Sequence, residues 1–116
     1  MSKPLGPYSP AVRAGDFIIV SGQGGMKDGA LVEGGVAAQT EQTMVNVSDR
    51  LAEMGAGLGD IVKTTCFLTD MDTFATFNTA YGSALGDHRP ARSTVEVSAL
   101  PAGMAVEVEA WAYKPA

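Results

Sequence analysis

Cysteine and histidine are nearly absent, with Cys66 and His88 the sole examples among 116 residues. A lone cysteine excludes an intrachain disulfide. Cys66 lies inside Ile61-Val62-Lys63-Thr64-Thr65-Cys66-Phe67-Leu68, where a buried structural thiol is expected rather than a nucleophile. With one cysteine and one histidine, a zinc site would need mostly carboxylates, and the sequence clusters none in that way, so no metal is expected. Positive charge is also scarce. Eight Lys and Arg stand against 13 Asp and Glu, giving a net charge of −5, and the basic residues are scattered. Nucleic-acid affinity rests on clustered cations, so no nucleic-acid partner is expected. No apolar run reaches membrane-spanning length. The opening MSKPLGPYSP lacks the charged and apolar regions of a signal peptide, so the expectation is a cytoplasmic protein with no membrane partner.

What is present describes an ordinary folded chain, 46% apolar and 18% charged, long enough to bury a core as one domain over residues 1–116. Gly6-Pro7-Tyr8-Ser9-Pro10 is a turn-rich entry whose prolines restrict the backbone around Tyr8. Read from these residues alone, it is a flexible terminus. Ala11 to Val12 and Phe17 to Ser21 read as strands joined through Ala14-Gly15-Asp16. Phe17-Ile18-Ile19-Val20, apolar throughout, reads as buried on both faces. Ser21-Gly22-Gln23-Gly24-Gly25 ends it. No Lys-Ser/Thr and no helix directly follow these glycines, which excludes a P-loop or dinucleotide fingerprint.

From Val36 to Met54, apolar or small residues recur at Val36, Thr40, Met44, Val47, Leu51 and Met54, the spacing of an amphipathic helix stopped at Gly55. Gln39, Glu41, Gln42, Ser48, Asp49 and Glu53 form its solvated face. Ile61 to Leu68 is a strand rich in β-branched residues. Asp70 or Asp72 caps a second helix with Phe74, Phe77, Tyr81 and Leu85 as its inward stripe and Asn78 at the boundary. From Arg92 the residues alternate, with Val95 and Val97 on one face and Arg92, Thr94 and Glu96 on the other. After Leu100-Pro101-Ala102-Gly103 a second strand carries Met104, Val106, Val108, Ala110 and Ala112 on one face, and Glu107, Glu109, Trp111 and Tyr113 on the other. The two strands read as one hairpin, placing a guanidinium near two carboxylates. The expected fold is α+β, with a mixed sheet and both helices on one face. The opposite face is partly apolar, which points to burial against another subunit.

GPYSPAV at 6–12, SGQ at 21–23, VKTTCFLTDMDTFATFN at 62–78, RPARSTVEVSALP at 89–101 and VEVEAWA at 106–112 resemble, in order and across nearly the whole chain, the RidA/YjgF reactive intermediate deaminase family. The resemblance implies a chorismate-mutase-like protomer and a homotrimer with active sites between subunits. It also implies hydrolysis of 2-imino and 2-enamino acids, such as 2-aminoacrylate and 2-aminocrotonate, to 2-oxo acids and ammonia without a cofactor. By motif, Arg92 would hold the substrate carboxylate and Glu107 would place or activate water. Tyr8, Gly22, Asn78 and Thr94 would shape the pocket. A guanidinium takes a carboxylate through two parallel hydrogen bonds, and a positioned carboxylate serves proton transfer. Without the resemblance, Arg92 reads equally as half of a surface ion pair, and Glu107 with Glu109 as a solvated sheet face.

Departures from the family pattern bear on specificity. Thr94 stands where many relatives carry cysteine, which excludes thiol chemistry there. Gly24-Gly25 replaces bulkier apolar residues, and the connection from Gly82 to Arg89 is short. The alternative function is a small-carboxylate-binding or chaperone-like trimer that does no turnover. Ribonuclease activity, a label some relatives carry, is disfavoured by the acidity and by the lack of a histidine pair.

Overall fold

The computed structural model describes residues 4–116. Residues 1–3 of the domain expected over 1–116 lie outside them. Ala11–Ala14 (β1) and Phe17–Gln23 (β2) form the first hairpin, turned at Gly15, whose φ of 62° suits a residue without Cβ. A small ribbon follows, Met26–Lys27 (β3) against Ala30–Leu31 (β4). Helix α1 spans Gly35–Ala52 and ends where Gly55, at φ 80°, donates to the Ala52 carbonyl. Strand β5 covers Ile61–Leu68. Asp70 then accepts from the Asp72 N–H and opens a short turn into α2, Phe74–Leu85. Ala91–Glu96 (β6) and Val106–Tyr113 (β7) complete the chain.

The main sheet has the order β1-β2-β7-β5-β6. The last two strands are therefore no hairpin. β5 lies between them, parallel to β6 and antiparallel to β7. Seven-residue-plus strands β2, β5 and β7 satisfy one another's backbone groups at the centre, whereas β6 is left with one neighbour. Parallel pairing of β5 and β6 needs a long crossover, which α2 supplies.

Both helices cover one face. Ile18, Val20, Cys66, Leu68, Val106, Val108, Ala110 and Ala112 point into it and meet Met44, Val47 and Leu51 of α1 and Phe77, Tyr81 and Leu85 of α2. Burying each of the larger apolar side chains contributes ~1.5–3 kcal/mol. Small Ala110 and Ala112 let α1 lie closely over β2 and β7. The inward stripes match their expected spacing, with Phe74 as the exception, 38% exposed.

Two local readings are corrected, and the role of a third segment is made specific. Phe17 is exposed and Ile19 only part-buried, so β2 is buried on one face only. Gln39 is buried rather than solvated, because its Oε1 accepts the Ala105 N–H at 2.8 Å and ties α1 to the start of β7. Gly24 and Gly25 serve packing: a Cβ on Gly24 would collide with the Met104 sulfur, and one on Gly25 would lie 2.8 Å from the Gln39 Cα. Asn46 Nδ2 holds the same segment by donating to the Gly24 and Met26 carbonyls at 2.8 and 2.9 Å. Among the described residues no helix is long and apolar enough to cross a membrane.

Candidate active site

Strand β6 sets Arg92 opposite Thr64 and Thr94 opposite Cys66. Thr64 and Cys66 belong to the helix-covered face, so Arg92 and Thr94 point that way too. The Arg92 guanidinium carbon lies 5.5 Å from the Phe74 ring centre, 5.6 Å from Phe77 and 5.0 Å from Tyr81. Such cation-π contacts hold a guanidinium in place without consuming its N–H donors. Among the described residues Arg92 makes no ion pair, the pairs present being Arg50 with Glu53 and Lys114 with Asp60.

Polar groups lie beside these rings, some of them bonded and some not. Asn78 Oδ1 and Thr94 Oγ1 are buried without a hydrogen-bond partner among the described residues. Thr40 and Thr43 Oγ1 of α1 are in the same state, so the lack of a partner alone does not single out a site. Asn78 and Arg92 share a concavity of about 280 Å³ with Tyr81, Gly82, Arg89 and Pro90. Tyr81 Oη and Thr64 Oγ1 are bonded at 2.7 Å, and burial raises the Tyr81 pKa against that bond's opposing pull. Burial likewise pushes the Cys66 thiol up to about 11, with the Thr64 hydroxyl and then the Arg92 charge opposing. Cys66 is therefore a protonated core residue at neutral pH, as its sequence context implies.

Glu107 stands elsewhere. It pairs with Phe67 on β5, and its neighbours Val106 and Val108 are fully buried under the helices, so alternation turns it to the uncovered face. Gly22 of β2 makes room for it: a Cβ at residue 22 would lie 2.6 Å from the Glu107 Cδ. The register of β2 on β7 shifts between Val20 and Gln23, and this bulge carries Gly22 over the carboxylate. Tyr8 lines the same groove with Gly22, Phe67, Glu107 and Glu109. Its Oη accepts the Leu5 N–H at 3.1 Å, so the entry segment folds back on itself. Burial raises the Glu107 pKa, and the like charge of Glu109 adds to the shift.

The six residues singled out from the sequence thus divide evenly between the two faces. Arg92, Thr94 and Asn78 gather under α2, while Glu107, Gly22 and Tyr8 gather on the open side. Within the chain the sheet itself separates the guanidinium from the carboxylate. The hairpin reading missed this because it made the two strands direct neighbours, and because the polar side of β6, not its Val95 side, is the one that the helices cover. It also missed Tyr81 as part of the Arg92 surroundings, although its place on the inward stripe of α2 was the available signal. Arg89 carried no periodic signal at all.

A five-stranded mixed sheet covered on one side by two helices, with an unpaired guanidinium at one edge, defines an α+β protein of the chorismate-mutase-like type seen in solved YjgF and L-PSP structures. The chain belongs to the YjgF/RidA family, whose model, described as Endoribonuclease L-PSP, matches residues 1–114. It is 43% identical to a RutC family protein of Pyrococcus horikoshii over 97% of this chain and 90% of that one. It is 41% identical to the 2-iminobutanoate/2-iminopropanoate deaminase of Homo sapiens over 95% of this chain and 82% of that one. Among solved structures it is similar to TdcF of E. coli with bound serine, at 34% identity and a TM-score of 0.90, over 96% of this chain and 91% of that one.

Proposed function

We propose that the chain is a cofactor-free hydrolase of 2-imino and 2-enamino acids, acting in the cytoplasm as a homotrimer whose sites lie between subunits. The observation that carries the reading is an Arg92 guanidinium fixed over three rings with no carboxylate partner among the described residues. A small ligand with a free carboxylate supplies that partner through two parallel charge-assisted bonds. The deaminase relative and the serine-bound neighbour support an amino-acid-sized ligand.

The chemistry asks little more of the protein. Water adds to the C=N carbon, the nitrogen takes up protons, and the tetrahedral adduct releases ammonia to leave a 2-oxo acid. The imine carbon is already electrophilic, so a nucleophilic side chain is unnecessary. Glu107, with its pKa raised by burial and by Glu109, is suited to accept a proton from water and return it to nitrogen. Asn78 Oδ1 and Thr94 Oγ1, left unpaired in the subunit, provide an acceptor for the substrate N–H and a hydroxyl for the water. Most acceleration then comes from holding carboxylate, carbon and water together.

Because Glu107 and Arg92 face opposite sides of one sheet, this mechanism requires the open face of one copy to meet the β6 edge of the next. Val12, Phe17, Val62, Val95, Trp111 and Tyr113 give that open or edge surface its exposed apolar area. The word endoribonuclease in the family description has weaker support. The single histidine has its Nε2 2.7 Å from the Ile61 carbonyl oxygen, which ties it to the backbone rather than to phosphodiester chemistry. The decisive experiment follows 2-oxo acid and ammonia formation from freshly generated 2-aminoacrylate. Acceleration by the protein and its loss in Arg92→Ala are expected; equal rates with and without protein would remove the hydrolase.

A further inference from the structure

Arg92 has a second cation beside it. Arg89 lines the same concavity of about 280 Å³, together with Asn78, Tyr81, Gly82 and Pro90. Its Nη1 donates to the carbonyl oxygens of Gly86 at 2.6 Å and His88 at 2.9 Å. Those carbonyls belong to the turn leaving α2, and the turn is itself tied down. The His88 N–H donates to the Leu85 carbonyl at 3.2 Å, and the His88 ring reaches the Ile61 carbonyl. Gly82 lies directly beside the guanidinium, and a Cβ there would make ordinary contact with Nη2 at 3.7 Å.

No carboxylate balances either arginine among the described residues, whose ion pairs lie elsewhere. Two like charges on the wall of one small cavity repel, and an anion placed between them reverses the sign of that interaction. Burial raises the Tyr81 pKa, and both guanidinia oppose it, which agrees with their sharing this side of the ring. A purely structural use of Arg89 as a cation at the C-terminal end of α2 would explain the Nη1 bonds. It would not explain a second guanidinium on the wall of the Arg92 cavity in a chain of net charge −5.

We infer that Arg89 selects substrates with a second anionic group: 2-imino acids whose side chain ends in a carboxylate. Arg92 takes the carboxylate next to the imine and Arg89 the distal one. The reaction is otherwise unchanged, water adding at C=N, ammonia leaving and a 2-oxodicarboxylate remaining. For its chemistry this inference rests on the proposed hydrolase; for its binding preference it does not.

Calorimetry with two stable 2-oxo acids separates those dependencies. The wild-type protein is expected to bind 2-oxoglutarate about tenfold more tightly than 2-oxobutanoate, the scale of one charge-assisted contact. Arg89→Ala is expected to abolish that ratio while affecting the smaller acid far less. Arg89→Lys retains part of it, because charge survives without the planar fork. Added salt should shrink the ratio, since Arg89 is exposed. Equal wild-type affinity for the two acids would overturn the inference, as would an Arg89→Ala variant that weakens both in proportion, the mark of a residue that only holds the turn. Turnover of imines generated in situ by an amino-acid oxidase reports separately on the hydrolase, and its failure leaves the binding ratio to decide the preference.

Discussion

The covered and uncovered faces of the sheet differ in how completely one subunit builds them. Under α2 the Arg92 guanidinium is already placed, with rings at 5.0 to 5.6 Å and no freedom to swing far without losing them. On the open side Glu107 has a glycine beside it, a raised pKa and a wide groove shared with Tyr8 and Phe67. Phe17 packs edge-on against Trp111 and Tyr113, with ring centres 6.0 and 5.3 Å apart, yet all three rings remain substantially exposed. One face holds a cation fixed by three rings, and the other a carboxylate beside a glycine. Under the proposed function a single sheet is used twice, and a neighbouring copy would have to join the halves.

The most disruptive way to test that contrast is to empty the finished half. Arg92→Ala should lower kcat/KM by about 10²–10³-fold, combining a lost charge-assisted bond with lost orientation. Arg92→Lys should recover only part, because the two-pronged geometry is gone. Steady-state kinetics at subsaturating substrate checks both. A loss below threefold in Arg92→Ala would show that this cation does not hold the substrate.

The unfinished half should respond in kcat rather than in binding. Glu107→Gln is expected to lower kcat by ~10²-fold or more, as for loss of a proton-transfer group. Wild-type kcat/KM should rise with pH through a pKa above the ordinary carboxylate range, because the base form is required. Stability runs the other way. A carboxyl whose folded pKa is raised contributes stability that is present below its unfolded pKa and lost as pH rises through the folded one. Glu107→Gln should therefore melt at or above the wild-type temperature at neutral pH, and the difference should vanish in acid. A lower Tm for the variant at pH 7 would contradict the desolvated carboxylate.

Gly22→Ala makes a smaller and more local change. The added methyl would lie 2.6 Å from the Glu107 Cδ, so the carboxylate must move, and a displacement near 1 Å costs up to ~10²-fold in rate. About tenfold in kcat is expected, with 2-oxo acid affinity at the Arg92 side little altered. The smallest effect belongs to Cys66, whose thiol is buried with its pKa pushed up to about 11. It should alkylate with iodoacetamide at pH 8 only as the protein unfolds; rapid modification of the folded protein would contradict its burial.

Much of the fold was legible because it rests on local period and punctuation. The limits of β5 follow from its β-branched run, α1 from its three-and-four spacing, and the first hairpin from Gly15. The insertion of β5 between β6 and β7 was not, since strand order depends on which backbone edges meet after collapse, and sequential strands only often pair. That one topological step misplaced Glu107 relative to Arg92. Gln39 shows the same limit at smaller scale, as a polar residue on a polar stripe becomes buried once a distant N–H at Ala105 bonds to it. Alternation separated Glu107 from Val106 and Val108 correctly on β7, but on β6 the apolar side is the open one: Val95 is 44% exposed, while Arg92 and Thr94 share the helix-covered face with Thr64 and Cys66.

Mixing two inactive variants tests the union of the halves most directly. Arg92→Ala and Glu107→Gln subunits, co-refolded in equal amounts, each retain the half that the other lacks. If Arg92 of one copy works with Glu107 of the next in a closed ring of three, random mixing restores about a quarter of wild-type activity. Activity no higher than that of either variant alone would place both groups' work within single subunits and contradict the account.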